Sequence, residues 1–268
     1  KISRSSVRRF VMATSVTPTV VKTCALSEAD LLQKYDVSGP RYTSYPTAAQ
    51  FAGDFDGSDF LNAVYSPVEV IAPLSLYIHL PFCENICYYC ACNKVVTRDR
   101  SVVRKYLDHL HKEMALLHLQ LKLHHRPVTQ LHWGGGTPTF FDGAEMTELM
   151  HITAQHFNLI RDDSRDYAIE IDPRTVDREK IDLLRGLGFN RISLGIQDFD
   201  VAVQQAINRI QSIEQVRLLV DYIRERSFHS LNFDLIYGLP KQDENSLTKT
   251  LDAVIQLSPD RISYYNYA

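Results

Sequence analysis

Apolar residues follow two alternating patterns from Pro73 onwards. Six short runs favour strands, because they are rich in β-branched and aromatic residues; they span residues 74–79, 128–133, 167–171, 191–194, 230–236 and 261–264. Between the runs, apolar residues recur every three or four positions, which predicts amphipathic helices; these lie near residues 103–117, 144–157, 181–187, 201–207, 212–223 and 247–254. Ser212 and Gln215 are predicted to form a capping box where the fifth of these helices begins.

This alternation of strand and helix predicts a parallel sheet with right-handed crossovers. Six such units are typical of a partly or fully closed α/β barrel, and one barrel can take up most of a chain of 268 residues. In parallel barrels the active site forms at the C-terminal ends of the strands. Polar residues that directly follow a predicted strand are therefore the first candidates for function.

The residues before the first strand follow no such pattern. Residues 1–23 are basic and rich in Ser and Thr, with no acidic residue, so we expect residues 1–34 to be poorly ordered apart from a short helix over 28–35 capped by Ser27. Two interpretations of the start stay open: Met12 is the true first residue, or the segment is an organellar transit peptide. Gly39 and Pro40 disfavour a regular element, so residues 35–73 are expected to form a loop region that packs on a barrel of residues 74–268.

Composition narrows the class of protein. The chain is 45% hydrophobic and 23% charged with a net charge of -3, which is typical of a globular protein and gives no reason to expect a nucleic-acid partner. No apolar run approaches the roughly 20 residues that a membrane helix needs, so no transmembrane segment is predicted. We expect a cytoplasmic monomer.

Four of the five cysteines lie within ten residues, directly after the first predicted strand. Such clustering indicates a metal or catalytic site in a reducing compartment. The C-x3-C-x2-C spacing of Cys83, Cys87 and Cys90 suits an iron–sulfur cubane whose fourth iron stays open for a small molecule. Structural zinc is the alternative, although it normally draws on two separate cysteine pairs. Cys92 is interpreted as an unligated thiol, with a catalytic or electron-transfer role as the open alternative, and Cys24 as an ordinary free thiol.

Glycines and polar residues follow the later strands at the same predicted edge. Two interpretations of the triple glycine at 134–136 stay open: a tight turn, or bare backbone against which a ligand packs. A carboxylate can accept hydrogen bonds from ribose hydroxyls or an ammonium group, and an arginine can clamp a carboxylate with two parallel bonds. Glu170, Gln197, Arg209 and Asp234 together therefore match a zwitterionic nucleoside ligand.

Other polar residues divide between this edge and the surface. Asp172 and Asp198 also follow strands, and His79 and His132 near strand ends are further pocket candidates. The histidines on and after the helix beyond the cysteine loop lack metal-site spacing and are interpreted as a solvated face; they are His109, His111, His118, His124 and His125.

The cysteine spacing, followed by Gly-Gly-Gly-Thr-Pro, resembles the radical S-adenosylmethionine (SAM) superfamily and, within it, the oxygen-independent coproporphyrinogen III oxidases. The resemblance runs from about Tyr35 to Ala268 and includes Cys92 and the segments 39–47, 131–134, 169–174, 195–199 and 234–240. The related haem-chaperone branch usually lacks both the tyrosine-containing loop at 39–47 and a cysteine at position 92. Ala91 departs from the glycine common in relatives, which puts the local loop geometry in doubt.

This resemblance implies a partial (β/α)6 radical SAM barrel with an irregular N-terminal extension. Cys83, Cys87 and Cys90 would hold a [4Fe-4S] cluster, whose open iron chelates the amino and carboxylate groups of SAM. The resemblance implies two SAM molecules. Contacts to the first would come from Tyr77, Tyr89, Gly135 and Glu170, and contacts to the second from Gly136, Thr137, Gln197, Arg209, Asp234 and Ala268.

The implied reaction is the oxidative decarboxylation of two propionates of coproporphyrinogen III. An electron donor supplies the electron that cleaves SAM to methionine and a 5′-deoxyadenosyl radical, which takes a hydrogen from the propionate β-carbon. Loss of CO2 and of one electron to an acceptor leaves a vinyl group, and two such steps give protoporphyrinogen IX. A haem chaperone on the same barrel, without oxidase activity, is the alternative. Because the family continues past the position of Ala268 into a C-terminal domain, we expect a fragment that turns over substrate poorly.

Overall fold

The computed structural model describes residues 27–35, 50–51, 53–65, 72–121 and 125–267. The chain divides into two compact units, residues 1–56 and 57–268. In the first unit, helix α1 (Glu28–Tyr35) begins after Ser27, whose Oγ accepts a hydrogen bond from the Asp30 N–H at 3.2 Å. The predicted helix and its cap are confirmed. The basic segment 1–23 and the loop at 39–47 lie outside the described residues, so the domain boundaries at residues 34 and 73 stay predictions.

All six predicted strands are present in the second unit. They are β1 (Leu74–Leu80), β2 (Pro127–Gly135), β3 (Asp166–Ile171), β4 (Arg191–Gln197), β5 (Ser230–Tyr237) and β6 (Arg261–Asn266). These strands lie side by side in chain order and every neighbouring pair is parallel. A two-residue strand, Asn158–Leu159, adds to the start of β2. Within the described residues, β1 and β6 do not pair with each other, so the predicted partial barrel is confirmed.

Helices fill the crossovers between the strands, as the apolar periodicity predicts. The helices of this unit are α2 (Gly57–Tyr65), α3 (Ser101–Leu121), α4 (Gly143–His156), α5 (Arg178–Gly186), α6 (Val201–Ala206), α7 (Ile213–Glu225) and α8 (Glu244–Leu257). Helix α2 was not predicted, and its Phe60 is 44% exposed, so this aromatic residue does not mark a buried helix face. The capping box predicted for α7 is present in part: the Gln215 N–H donates to Ser212 Oγ at 3.1 Å.

The core lies between the sheet and these helices, with Trp133, Phe189 and Phe233 among its largest fully buried side chains. Strand β5 is buried at six of its eight positions, as expected for a parallel strand covered on both faces. Strand β6 is exposed at five of its six positions, because it lies at the edge. In the described part of the chain, no helix combines the length and apolar character needed to cross a membrane.

The capping box of α8 offers a test of how the barrel is stabilised. Asp243 Oδ1 accepts from the Ser246 N–H at 2.7 Å, and Ser246 Oγ accepts from the Asp243 N–H at 2.9 Å. Because Asp243→Ala removes the side-chain acceptor of the Ser246 N–H, it is expected to lower the free energy of unfolding by about 1 kcal/mol. Urea denaturation measures this, and Ile255→Ala on the exposed face of α8 serves as the control. An equal loss in both variants would contradict a capping role.

Candidate functional site

The loop after β1 carries the four clustered cysteines to the C-terminal edge of the sheet. Its base is closed by two short strands, Phe82–Cys83 and Val95–Val96, which pair in parallel. Cys83, Cys87 and Cys90 are half-buried and Cys92 is exposed. The three thiols expected to bind metal are thus partly shielded from solvent.

The tip of this loop is fixed to the segment that follows α6. The Tyr88 N–H donates to Ile207 O at 3.0 Å, and Asn208 Nδ2 donates to Ile86 O at 2.7 Å. The Tyr89 side chain packs beside Ile207 in a small apolar cluster, and burial raises the pKa of its hydroxyl. The loop is therefore held at both its base and its tip.

Two of the thiols have polar partners from segments that follow other elements of the barrel. Cys83 Sγ lies 3.5 Å from Thr137 Oγ1, and burial raises the pKa of the Cys83 thiol. Cys87 Sγ lies 3.6 Å from Arg209 Nη1 and 3.8 Å from Arg174 Nη2. Two cationic guanidinium groups therefore lie beside the Cys87 sulfur.

Cys90 and Cys92 interact with each other. Their shared hydrogen bond lowers the pKa of the Cys90 thiol and raises that of Cys92. Lys94 Nζ donates to Cys90 O at 2.9 Å and to Cys92 O at 3.4 Å, which places a positive charge beside the pair. Of the two thiols, Cys90 is the one prepared to lose its proton.

The donor set fits an iron–sulfur cluster. Among the described residues, no three Cys, His, Asp or Glu side chains already form a metal-binding group. The Cys90 thiol is hydrogen-bonded to the Cys92 thiol. However, three half-buried thiols in one loop, two guanidinium groups at Cys87 and a hydroxyl at Cys83 together provide ligands and charge compensation. Because metal binding is coupled to local folding, we expect the three sulfur atoms to converge when the cluster assembles.

The triple glycine packs against other parts of the same edge. A Cβ atom at Gly134 would lie 2.6 Å from the Glu170 carboxylate. At Gly135 it would lie 2.6 Å from the His79 ring, and at Gly136 it would lie 2.6 Å from the Pro81 backbone. Gly135 also has a φ of +115°, which side chains disfavour. Both interpretations of this motif missed that protein atoms occupy the space beside the glycines.

A first group of polar side chains lies across β1, β2 and β3. Glu170 accepts from the Gly135 N–H at 3.1 Å, and its Oε1 lies 3.0 Å from His132 Nε2. The Tyr77 ring stacks on His132 with centroids 5.7 Å apart, and its hydroxyl lies 3.0 Å from His79 Nδ1. The structure thus brings Tyr77, Gly135 and Glu170 together. It also adds His79 and His132, the two histidines predicted as pocket candidates.

A second group is centred on a buried ion pair between β3 and the segment after α6. Arg209, 6% exposed, donates from Nη1 to Asp172 Oδ2 at 2.9 Å and from Nη2 to Gly195 O at 2.8 Å. Arg174 Nη2 donates to the same Asp172 oxygen at 2.6 Å. Burial alone would raise the pKa of Asp172, but the bonds from Arg174 and the charge of Arg209 outweigh it and lower the pKa. Arg174 was not predicted as a site residue, although it follows the end of β3 by three positions.

Gln197 joins this group through an unusual backbone. It is not glycine, yet its φ is +66°, at a register irregularity between β4 and β5. A Cβ atom at Gly195 would lie 2.8 Å from Arg209 Nη2 and 3.0 Å from Gln197 Nε2, so both side chains converge over this glycine. Left-handed backbone at a non-glycine residue is often retained at functional sites.

Asp234 lies on β5, opposite Gly195 of β4. It accepts from Ser193 Oγ at 2.9 Å and from Asn232 Nδ2 at 2.9 Å. Burial, followed by the nearby charge of Glu170, raises its pKa despite these bonds. Asp234 is therefore a carboxylate whose charge is incompletely compensated, which suits a cationic or hydroxyl-bearing ligand.

Some predicted positions do not join the site. Asp198 is fully buried and bonds to Gln242 and Thr250, so it ties β4 to α8 and does not line the edge. His118, predicted on a solvated face, is half-buried against His156, whose carbonyl lies 2.8 Å from its Nδ1. This difference arises because α3 packs against α4. Ala268 and His124 lie outside the described residues.

Asp234 is expected to make stability depend on pH. Because its pKa is raised on folding, its contribution is most favourable below about pH 4 and is lost as the pH rises through the folded-state pKa. Asparagine does not ionise, so Asp234→Asn removes the loss of stability that occurs when the Asp234 carboxyl loses its proton. The stability of the variant relative to the unchanged chain should therefore increase from pH 4 to pH 7. Urea denaturation across this range checks it, with the exposed Asp252→Asn as control; a pH-independent difference would contradict the assignment.

Comparison with known proteins agrees with this geometry. The model of the radical SAM superfamily matches residues 77–254. The chain belongs to the radical SAM superfamily. Radical SAM proteins use a [4Fe-4S] cluster and SAM, so membership implies both cofactors.

Two relatives are much more similar than the superfamily as a whole. Oxygen-independent coproporphyrinogen III oxidase from Pseudomonas aeruginosa is 53% identical over 241 residues, which are 90% of this chain and 52% of the relative. The solved structure of coproporphyrinogen III oxidase from Escherichia coli, described as a radical SAM enzyme, has a TM-score of 0.80 and 44% identity, and the match covers 89% of this chain and 52% of that one. The chain thus spans about half the length of these relatives.

A more distant radical SAM structure shares the fold alone. The methyltransferase TsrM from Kitasatospora setae, solved with cobalamin and a [4Fe-4S] cluster bound, has a TM-score of 0.51 and 16% identity, covering 72% of this chain and 36% of that one. This likeness shows that the two chains share a fold. The match to the two oxidases is much closer, with identities of 53% and 44%.

Proposed function

We propose that this chain contributes the cluster-binding and SAM-binding barrel to oxygen-independent oxidation of coproporphyrinogen III. The observation that carries the proposal is the meeting of three half-buried thiols with two polar groups at one edge of a parallel sheet. The identity of 53% to the Pseudomonas aeruginosa oxidase over 90% of the chain supports the same substrate.

Cys83, Cys87 and Cys90 would hold the [4Fe-4S] cluster. When bound, the cluster supplies the electron that cleaves SAM. The protein's own contribution is to hold the reacting groups: the loop is fixed at base and tip, and the guanidinium groups beside Cys87 offset thiolate charge. Cys92 is exposed and is assigned as an unligated thiol.

The two polar groups would take one SAM molecule each. Tyr77, 57% exposed, offers a ring next to the Glu170 carboxylate, which can accept bonds from an ammonium or ribose hydroxyl. The Gly135 N–H already donates to Glu170, so Gly135 would serve chiefly by holding that carboxylate in place. Gln197, Arg209 and Asp234 would contact the second SAM, together with Gly136, Thr137 and Ala268. Tyr89 would contact the first SAM, and the charge of Arg209 also acts on its hydroxyl.

The substrate would be coproporphyrinogen III, whose propionate side chains become vinyl groups. Each conversion removes a hydrogen atom from the β-carbon, releases CO2 and passes one electron to an acceptor. The electron donor and acceptor are separate partners of unassigned identity. We place the reaction in the cytoplasm and assign the protein as a monomer.

Anaerobic reconstitution tests this function. The purified chain is loaded with iron and sulfide, then incubated with dithionite, SAM and coproporphyrinogen III; the Pseudomonas aeruginosa relative is the positive control. Stoichiometric iron and sulfide with formation of 5′-deoxyadenosine would support the cofactors, and a vinyl product would support the substrate. A colourless protein with one bound zinc would refute the cluster, whereas haem binding without 5′-deoxyadenosine would indicate a haem chaperone.

A further inference from the structure

Two guanidinium groups converge on the sulfur atom of one cysteine. Arg209 Nη1 lies 3.6 Å and Arg174 Nη2 lies 3.8 Å from Cys87 Sγ, and both nitrogens also bond to Asp172 Oδ2, at 2.9 and 2.6 Å. A single carboxylate oxygen therefore holds both cations beside the sulfur. We call Asp172, Arg174 and Arg209 the arginine clamp.

The arginine clamp is largely buried, extensively hydrogen-bonded and carries a net positive charge. Arg209 is 6% exposed and Asp172 is 7% exposed. Arg209 is also fixed by Gly195 O, which accepts from both Nε and Nη2, at 3.2 and 2.8 Å. Arg174 Nε donates to Asp172 Oδ1 at 3.0 Å, so that its guanidinium contacts both carboxylate oxygens. Two cations and one anion leave one positive charge where little water screens it.

We propose that Arg174, positioned by Asp172, acts with Arg209 to stabilise the reduced state of the cluster bound through Cys87. This inference rests on the proposed function, because it requires that Cys87 be a cluster ligand. Reduction adds one negative charge to the cluster, and the net charge and hydrogen bonding around its sulfur ligands set its reduction potential. A cation held against one ligand sulfur makes that electron easier to add. Arg174 is therefore a positioning residue for electron transfer, and it need not contact either SAM molecule.

A charge series at position 174 separates electrostatics from structure. Arg174→Lys, Arg174→Gln and Arg174→Glu all remove the two-point contact with Asp172, but they carry positive, zero and negative charge. Because the Arg174 side chain is 25% exposed, the position tolerates such changes better than Arg209. Arg165→Gln is the matched control. Arg165 is also little exposed, directly precedes β3 and donates from Nε to Gly188 O, so it lies at the end of the strand opposite to Arg174.

The readout is the midpoint potential of the reconstituted cluster, measured without SAM by electron paramagnetic resonance at set potentials, with iron and sulfide content determined for each variant. Arg174→Gln is expected to lower the equilibrium constant for one-electron reduction about tenfold, a shift of about 59 mV to more negative potential. Arg174→Glu should shift it further, while Arg174→Lys and Arg165→Gln should stay within about threefold of the unchanged chain, which is roughly 30 mV.

Two outcomes would overturn the inference. Potentials that stay unchanged in Arg174→Gln, or that move together in the Lys and Gln variants, would assign Arg174 a structural role while leaving the cluster and the proposed function in place. Failure of the unchanged chain to bind iron and sulfide would instead remove the proposed function and this inference with it. If Arg174→Glu does not fold, the comparison of Lys with Gln still decides.

Discussion

Replacing Cys87 with Ser is expected to abolish SAM cleavage by the reconstituted chain. Serine keeps the size of the side chain but removes the thiolate that the cluster needs. Residues that merely support a metal ligand are worth about 10–100-fold in affinity or activity, so loss of a ligand itself should reduce 5′-deoxyadenosine formation by more than about 100-fold. Iron and sulfide analysis, visible absorbance and product chromatography measure the effect.

Cys92→Ser is the matched control for this substitution, because Cys92 lies in the same loop but is exposed. We expect it to retain the iron content of the unchanged chain. Equal iron loss in Cys87→Ser and Cys92→Ser would mean that the assignment of three ligands and one spare thiol is wrong. Full iron content in Cys87→Ser would contradict the cluster site at its most constrained thiol, the one that both guanidinium groups contact.

The strands and most helices of the barrel were predictable because local pattern and tertiary environment agree. Strand β5 reads as an almost continuous apolar run and is buried at six of eight positions. Helix α8 begins at an acidic cap and repeats apolar residues at helical spacing, and Val254 and Leu257 are buried. Where the local sequence pattern and the tertiary environment agree in this way, an element can be predicted without knowing the rest of the structure.

The pairing of charges across the site was less predictable. Asp172 directly follows a predicted strand, but Arg209 lies 37 positions further along, after the predicted helix 201–207, and three other acidic candidates lay at the same edge. The return of the segment after α6 to Gly195 of β4 decides which carboxylate meets the guanidinium. Asp198 was expected at the rim because it follows a predicted strand. Its hydrogen-bond partner Thr250 lies 52 positions further along, in α8, so its true surroundings could not be predicted from the local sequence.

The glycine-rich turn shows how a motif can be found correctly and interpreted incompletely. From the sequence, residues 134–136 left space for a ligand or formed a tight turn. In the structure, the backbone of Pro81 and Phe82 passes directly against Gly136, and the Gly136 N–H donates to Leu80 O at 2.9 Å. The turn therefore supports the base of the cysteine loop, a relation between distant segments that residue type alone does not indicate.

Gly136→Ala should therefore disturb the cluster site through packing. The added Cβ would lie 2.6 Å from both Pro81 C and Pro81 O and 2.8 Å from Phe82 O, all backbone atoms that cannot rotate away. The strand Phe82–Cys83 must shift to relieve the contact. Overpacking of this kind costs about 1–3 kcal/mol of unfolding free energy, and the shift should also reduce cluster content by displacing Cys83.

Gly186→Ala is the control for this last substitution, because no atom beyond its chain neighbours and its own helix backbone lies within 4 Å of the Cβ it would add. Gly186 is the final residue of α5, where alanine is favoured over glycine by up to about 1 kcal/mol. Urea denaturation should thus show opposite changes, a loss for Gly136→Ala and a small gain or no change for Gly186→Ala. If Gly136→Ala instead binds iron and unfolds like the unchanged chain, the turn does not support the loop, and the glycine is explained better by direct contact between its backbone and bound SAM.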